Sequence, residues 1–424
     1  MRELEARYPD SLAVVGVHSG KYITERETPR IRDATIRLDA VHPTLNDRQF
    51  RVWRAYAVRA WPTLVAIDPA GRVIGMHAGE LTAEALVPFI DRTLAEARAA
   101  GTLVEGGAHV EPESPTIMPG ELAFPGKVAL DGRRLAIADS GHHRIVIGTL
   151  DDDGLRLRID RIVGDGMAGY RDGDAPRFRH PQGLAFRGDL LYVADAGNHA
   201  VRELSLATGV VRTIAGTGHQ LRTQRDLSAG ALSSPWDLCV AGERLHVAMA
   251  GIHRLWTIHL DTGIAAPSSG TGAEALHDGP HAQAALAQPM GICVAGESLA
   301  FADSESSAIR LADLGPAGSV RTLVGTGLFD FGDVDGVGDD ARLQHPQGIA
   351  AAEDGRLLVC DSYNDSLRWV DPSSRRVTTW VRGLHEPEGL ALDQRFAYVA
   401  DTNAHRIAVV NRTDGSVQPL VIER

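Results

Sequence analysis

One pattern constrains this chain more than any other: HPQGLAFRGDLLYVADAGNHAVREL, residues 180–204, returns in five further versions between Phe124 and the C-terminus. Each copy has a Pro, a position two residues on that is mostly Gly, a short apolar run, and a second apolar run closing mostly on Ala-Asp. The prolines are Pro125, Pro181, Pro235, Pro289, Pro346 and Pro387, and the closing positions are Asp139, Asp195, Met249, Asp303, Asp361 and Asp401. Successive closing positions lie 56, 54, 54, 58 and 40 residues apart. A period of that size, built from runs such as GLAF, LLYVAD, AVRELSL and VVRTIAG, specifies four-stranded propeller blades rather than a helical solenoid. Six copies make six blades. A lone four-stranded sheet leaves its faces wet, whereas a closed ring packs each blade between two others. The sixth copy brings its own closing strand, expected at residues 416–422, so the ring is expected to close where the chain ends.

The propeller architecture places the Pro-x-Gly starts and the Ala-Asp ends on one face, around the channel mouth. An Asp opening a tight turn accepts backbone N–H bonds, and a fold-forming turn repeats it in nearly every blade. The same reasoning makes His143, His199, His253 and His405, each four residues past the closing position, bridges between neighbouring sheets. They are poor zinc ligands, because radial repetition spreads them apart. Departures from the repeat carry more information. Four blades keep Gly183, Gly291, Gly348 and Gly389, but the first has Lys127 and the third Asp237, and the third also closes on Met249. Lys127 and Asp237 either flank a binding pocket or form an ion pair plugging the channel. Long connections into the blades, three with Asp-Gly at Asp172, Asp278 and Asp335, are candidate contact loops. GDVDGVGDD, residues 332–340, lacks the alternating ligands and terminal Glu of an EF-hand.

Ahead of the repeats the chain changes character. Residues 12–17, LAVVGV, read as a strand and 44–46 as a second, short one. Residues 48–58 read as a helix, 63–68 and 73–76 as strands joined by a Pro-Ala-Gly turn, and 82–100 as a helix. Residues 101–123, with three prolines and four glycines, form a linker. The domains are therefore 1–100, 101–123 and 124–424.

ADSGHHRI, ADAGNHAV and ADTNAHRI resemble NHL repeats. Together with the N-terminal segment, the chain resembles the thioredoxin-like, NHL-repeat-containing proteins over nearly its whole length. That resemblance implies a mainly β fold: a six-bladed NHL-type β-propeller preceded by a partial α/β thioredoxin-like domain. It implies that Pro62, after Trp61, is the cis-proline of such a domain. It also implies that RELEARYPD is the end of the helix that would carry Cys-x-x-Cys, so that the dithiol is either upstream of Met1 or lost. Cys239, Cys293 and Cys360 sit in strand patterns and read as small buried hydrophobes.

The first 100 residues hold 14 basic and 13 acidic side chains, so the net charge of −12 arises after them. An acidic propeller repels a phosphate backbone, which argues against nucleic acid. No apolar run is long enough for a membrane helix, and the charged N-terminus does not read as a signal peptide, so the expected location is the cytoplasm. Only Lys21 and Lys127 are lysines, an Arg bias suggesting a GC-rich bacterial source. Three functions fit. The first is a non-enzymatic binding or scaffold protein, needing no cofactor, that meets a protein or small molecule on a loop-rich face. The second is a thiol-disulfide oxidoreductase or redox adaptor with upstream cysteines. The third is a propeller enzyme with a channel metal, as in the NHL-like amidating lyases.

Overall fold

The computed structural model describes residues 1–40, 42–106 and 120–423. The chain divides into two compact units, Met1–Ile117 and Met118–Arg424. Most of the 101–123 linker falls outside the described residues.

The second unit is a six-bladed propeller. Each blade is a meander of antiparallel strands, the second being Pro181–Arg187, Leu190–Asp195, Ala200–Ser205 and Val211–Ala215. The tight Arg-Gly-Asp turn at residues 187–189, with Gly188 at φ 58°, joins its first two strands. The inner strands follow one another around the axis, and the sixth packs against the first. Six hydrophobic clusters fill the six interfaces. Leu135 and Ile137 of blade 1, for example, meet Tyr398 and Val409 of blade 6. Each fully buried Leu, Ile or Val contributes about 1.5–3 kcal/mol, so all six interfaces stabilise the ring.

Ring closure differs from expectation. The closing segment is two strands: Val417–Pro419 completes blade 6, and Val421–Glu423 crosses to blade 1, pairing parallel with its outer strand at Val421↔Arg156. Blades 4 and 5 gain a fifth edge strand from the loop before them, Gly279–Pro280 and Gly336–Val337, each antiparallel to the outer strand. In blade 1 the C-terminal tail takes that outer position. It covers an edge that would otherwise present unpaired N–H and C=O groups.

The first unit holds two separate two-stranded sheets. Gly16–His18 pairs parallel with Thr44–Asn46, and Thr63–Ile67 antiparallel with Val73–Ala78. The strand expected at 12–17 is therefore shorter and shifted: Leu12 instead packs beside Leu4, Tyr8 and Leu94 in the helical core. The expected 48–58 helix shrinks to Arg51–Ala55, preceded by Phe50 in the left-handed region at φ 56°. A helix at Thr28–Arg37, with Pro29 in its first turn, was not anticipated. The C-terminal helix runs Ala83–Ala99 from a Thr82 cap. The Trp61–Pro62 peptide is cis. Among the described residues no helix is long and apolar enough to cross a membrane.

Candidate functional site

The repeated aspartates are wholly buried. One carboxylate oxygen of each accepts the N–H two residues before its blade's Pro: Ala123 for Asp139, Arg179 for Asp195, Ala287 for Asp303, Gln344 for Asp361 and His385 for Asp401, at 2.5–2.8 Å. The other oxygen takes an arginine. In blades 1 and 6 these are Arg144 and Arg406, five residues on. In blades 2, 4 and 5 they are Arg202, Arg310 and Arg368, seven residues on, with guanidinium groups fully buried. Those three arginines reach further, to Asp172, Asp278 and Asp335 at 2.6–2.9 Å. The Asp-Gly loops are thereby tied down, and their aspartates also accept from Thr213, Thr322 and Thr379 of the outer strands. The acidic run 332–340 is consumed in the same way: Asp333 pairs with Arg368 and Arg382, and Asp339 with Arg375.

This pattern explains Met249. Where Asp gives way to Met, the residue seven positions on is Trp256, and no Asp-Gly loop precedes the blade. Met249 and Trp256 both lie in the cluster between blades 2 and 3. An apolar pair has replaced a buried ion pair of similar bulk, a substitution that folds commonly tolerate.

The histidines do not converge. Each lies in the left-handed region, at φ 50–54°, and its Nδ1 accepts the backbone N–H of the residue before the next blade's Pro. His143 accepts from His180, His199 from Ser234, His253 from Gln288, and His405 from Phe124, at 3.0–3.2 Å. Ser307 and Asp365 take the same role toward His345 and Glu386. A second latch, from Ser140, Ser304, Ser362 and Thr402, donates to the next blade's Pro carbonyl at 2.5–2.8 Å.

The axis is different. The inner strands approach so closely that a Cβ on Gly183, Gly291 or Gly389 would lie 2.2–2.7 Å from the neighbouring strand's backbone. From the first blade Lys127 reaches across the ring. Its Nζ donates to the carbonyls of Gln347, at 2.7 Å, and Met290, at 2.9 Å, and sits 3.6 Å from Asp237 Oδ2. Asp237 also accepts from Leu238 N and Ile292 N. Burial pushes its carboxyl pKa up, while Lys127 and the two N–H groups pull it down. Beside this pair lies a cavity of about 260 Å³. Its wall includes the third residue after each Pro, namely Val128, Leu184, Leu238, Ile292, Ile349 and Leu390. Lys127 and Asp237 thus meet at the cavity. Asp139, Asp195, Met249, Asp303, Asp361 and Asp401 do not line it, because they end the second strand of each blade, one strand away from the axis. The register partners Pro125↔Asp139, Pro181↔Asp195, Pro235↔Met249, Pro289↔Asp303 and Pro387↔Asp401 put these ends on the same face as the Pro starts, but of the eight it is Lys127 and Asp237 that reach the cavity.

An NHL repeat profile matches residues 178–204. The second blade thus carries an NHL repeat. NHL repeat-containing protein 2 of Gallus gallus is 36% identical over 97% of the chain, which spans 63% of that protein. Protein SUPPRESSOR OF QUENCHING 1, chloroplastic, of Arabidopsis thaliana is 36% identical over 97% of the chain and 42% of its own length. The chain thus spans less than two thirds of these relatives. A streptogramin B lyase structure overlays 73% of this chain and 86% of its own at 12% identity, with a TM-score of 0.46.

In the first unit, Trp61 Nε1 donates to Ser19 O at 2.7 Å and its ring lies 4.4 Å from that of Trp53. Buried Asp47 accepts from Ser19 Oγ and from the N–H groups of Arg51, Val52 and Trp53, capping the short helix. Burial opposes its ionisation, but these bonds prevail and lower its pKa. The three thiols are unpaired, Cys360 buried and Cys239 and Cys293 half-buried. Burial raises all three, Cys293 to about 12.

The buried arginines and the Ser/Thr latch escaped the sequence reading. The arginines had a visible signal: Arg seven residues past the closing Asp occurs in the same three blades that an Asp-Gly loop precedes.

Proposed function

We propose that this NHL-repeat propeller is a non-enzymatic binding or scaffold module. The observation that carries this reading is that the repeated aspartates and histidines, the groups best suited to acid-base or metal chemistry, are engaged in building blades and latching them together. Their hydrogen-bond capacity goes to stability, and the inter-blade loops remain as the display surface. Exposed apolar side chains on those loops, Met167 and Tyr170 before blade 2 and Phe329 before blade 5, are the contacts we assign to a protein partner. The net charge of −12 disfavours a nucleic-acid partner.

The Met1–Ile117 unit fits a thioredoxin-like module that, within this sequence, has no vicinal cysteines. The cis peptide before Thr63–Ile67, the antiparallel pairing with Val73–Ala78 and the following helix support that reading. The cytoplasm remains the proposed compartment.

The test is quantitative affinity capture with the tagged chain and with a Met167→Ser, Tyr170→Ser, Phe329→Ser variant. At least one protein captured by the native chain should fall about tenfold in the variant, with native circular dichroism retained. Identical capture, or stoichiometric metal on elemental analysis of the purified protein, would overturn the proposal.

A further inference from the structure

We propose that the cavity on the propeller axis binds a small uncharged polar molecule that both donates and accepts hydrogen bonds, a short carboxamide being the simplest such ligand. Three observations define it. The first is the wall: Val128, Leu184, Leu238, Ile292, Ile349 and Leu390, one from each blade, ring the cavity while their side chains pack into the six inter-blade clusters, so the surface turned to the cavity is mostly polar. The second is the strand edge. Each inner strand ends its sheet and pairs only with the second strand of its blade, so its other edge turns N–H and C=O groups towards the axis. Lys127 and Asp237 already use four of these, Met290 O, Gln347 O, Leu238 N and Ile292 N.

The third is the ion pair, which sets the charge of the ligand. Lys127 and Asp237 are 3.6 Å apart, with side chains 4% and 13% exposed. An alkylammonium drawn to Asp237 would sit against the Lys127 ammonium, and a carboxylate drawn to Lys127 would sit against Asp237. Each would lose its hydration and meet a like charge as near as the opposite one. A neutral amide meets neither penalty and matches both the donors and the acceptors of the strand edges. Scaled from a 150 Å³ apolar cavity that holds benzene, about 260 Å³ accommodates roughly ten non-hydrogen atoms.

The site does not depend on the loop-borne partner surface, and either reading survives the failure of the other. The experiment titrates the native chain with propionamide, propionate and propylammonium by calorimetry and ligand-observed NMR. Propionamide should bind one to one with a Kd of about 1 mM or tighter, the range open to a ligand of this size, and the two charged probes at least about tenfold more weakly. Lys127→Gly and Asp237→Gly each restore the residue found at the matching slot of four other blades. The first should reverse the ranking towards propylammonium, by leaving Asp237 alone in the wall, and the second towards propionate. Should either variant fail to fold, the native panel decides by itself. Absence of saturable propionamide binding, equal binding of all three probes, or a folded Lys127→Gly that keeps the native ranking would each overturn the assignment.

Discussion

Replacing Arg310 with Met removes the positive half of a pair in which neither side chain touches solvent: its guanidinium lies 2.8 Å from Asp303 Oδ2. The same group bonds Ala285 O, His277 O and Asp278. At an effective dielectric of about 20, two unit charges at that separation attract by about 6 kcal/mol. Removing one partner of a buried pair typically costs about 3–5 kcal/mol, because the other stays buried without compensation. Asp303 retains the Ala287 N–H bond, which places the expected loss near the lower end, about 3 kcal/mol. Urea denaturation followed by circular dichroism measures it. Adding Asp303→Asn to Arg310→Met should recover at least half, since the neutral amide keeps an acceptor for Ala287 and carries no charge. Burial already pushes the Asp303 pKa up, and losing Arg310 raises it further. A folded-state pKa above the unfolded value gives stability that is present at low pH and lost as pH rises through the folded pKa. The single variant's deficit should therefore be largest at neutral pH and shrink towards about pH 4. A loss under about 1 kcal/mol, or a deficit that grows on acidification, would refute the assignment of a charged, mutually compensating pair.

The other expectations concern separate parts of the chain. Asp47→Asn should destabilise the first unit by about 1–3 kcal/mol at neutral pH. Because the Asp47 pKa is lowered, its contribution is present above the usual Asp value and lost as pH falls through the folded pKa, so native and variant should converge below about pH 4; thermal melts across pH test this. Ending the chain at Leu420 removes the strand on blade 1 and the Arg156–Glu423 pair. It should cost about 1–3 kcal/mol and speed hydrogen exchange in Arg156–Val163, while unchanged exchange would show that the tail does not hold the ring. Cys239, Cys293 and Cys360 should resist a thiol reagent in the native protein and react on unfolding, because the thiolate is the reactive form and burial disfavours it; fast native labelling would contradict this. Gly16–His18, in a two-stranded sheet with Val17 and Leu45 exposed, should exchange before the propeller strands.

The sequence by itself determined the number of blades, their boundaries and most of their turns. The reason is that a Pro start, a Gly slot and an Asp end act within about fifteen residues, and a repeated local signal reinforces itself six times. Short strands and helices of the first unit were less legible. LAVVGV is apolar enough for a strand, but Leu12 is drawn into a helical core that only the folded unit defines. The bonding of the repeated side chains also lay beyond the sequence, since an Asp at a turn reads alike whether it holds a backbone N–H, an arginine or a ligand. Tertiary structure alone decided the axis. Lys127 finds its acceptors 163 and 220 residues away, and His405 closes the ring on Phe124 across 281. Those distances collapse because six rigid blades must meet around one axis. Lys127 and Asp237 share one cavity because their blades are set at fixed angles around it, a relation that no local pattern in the chain encodes.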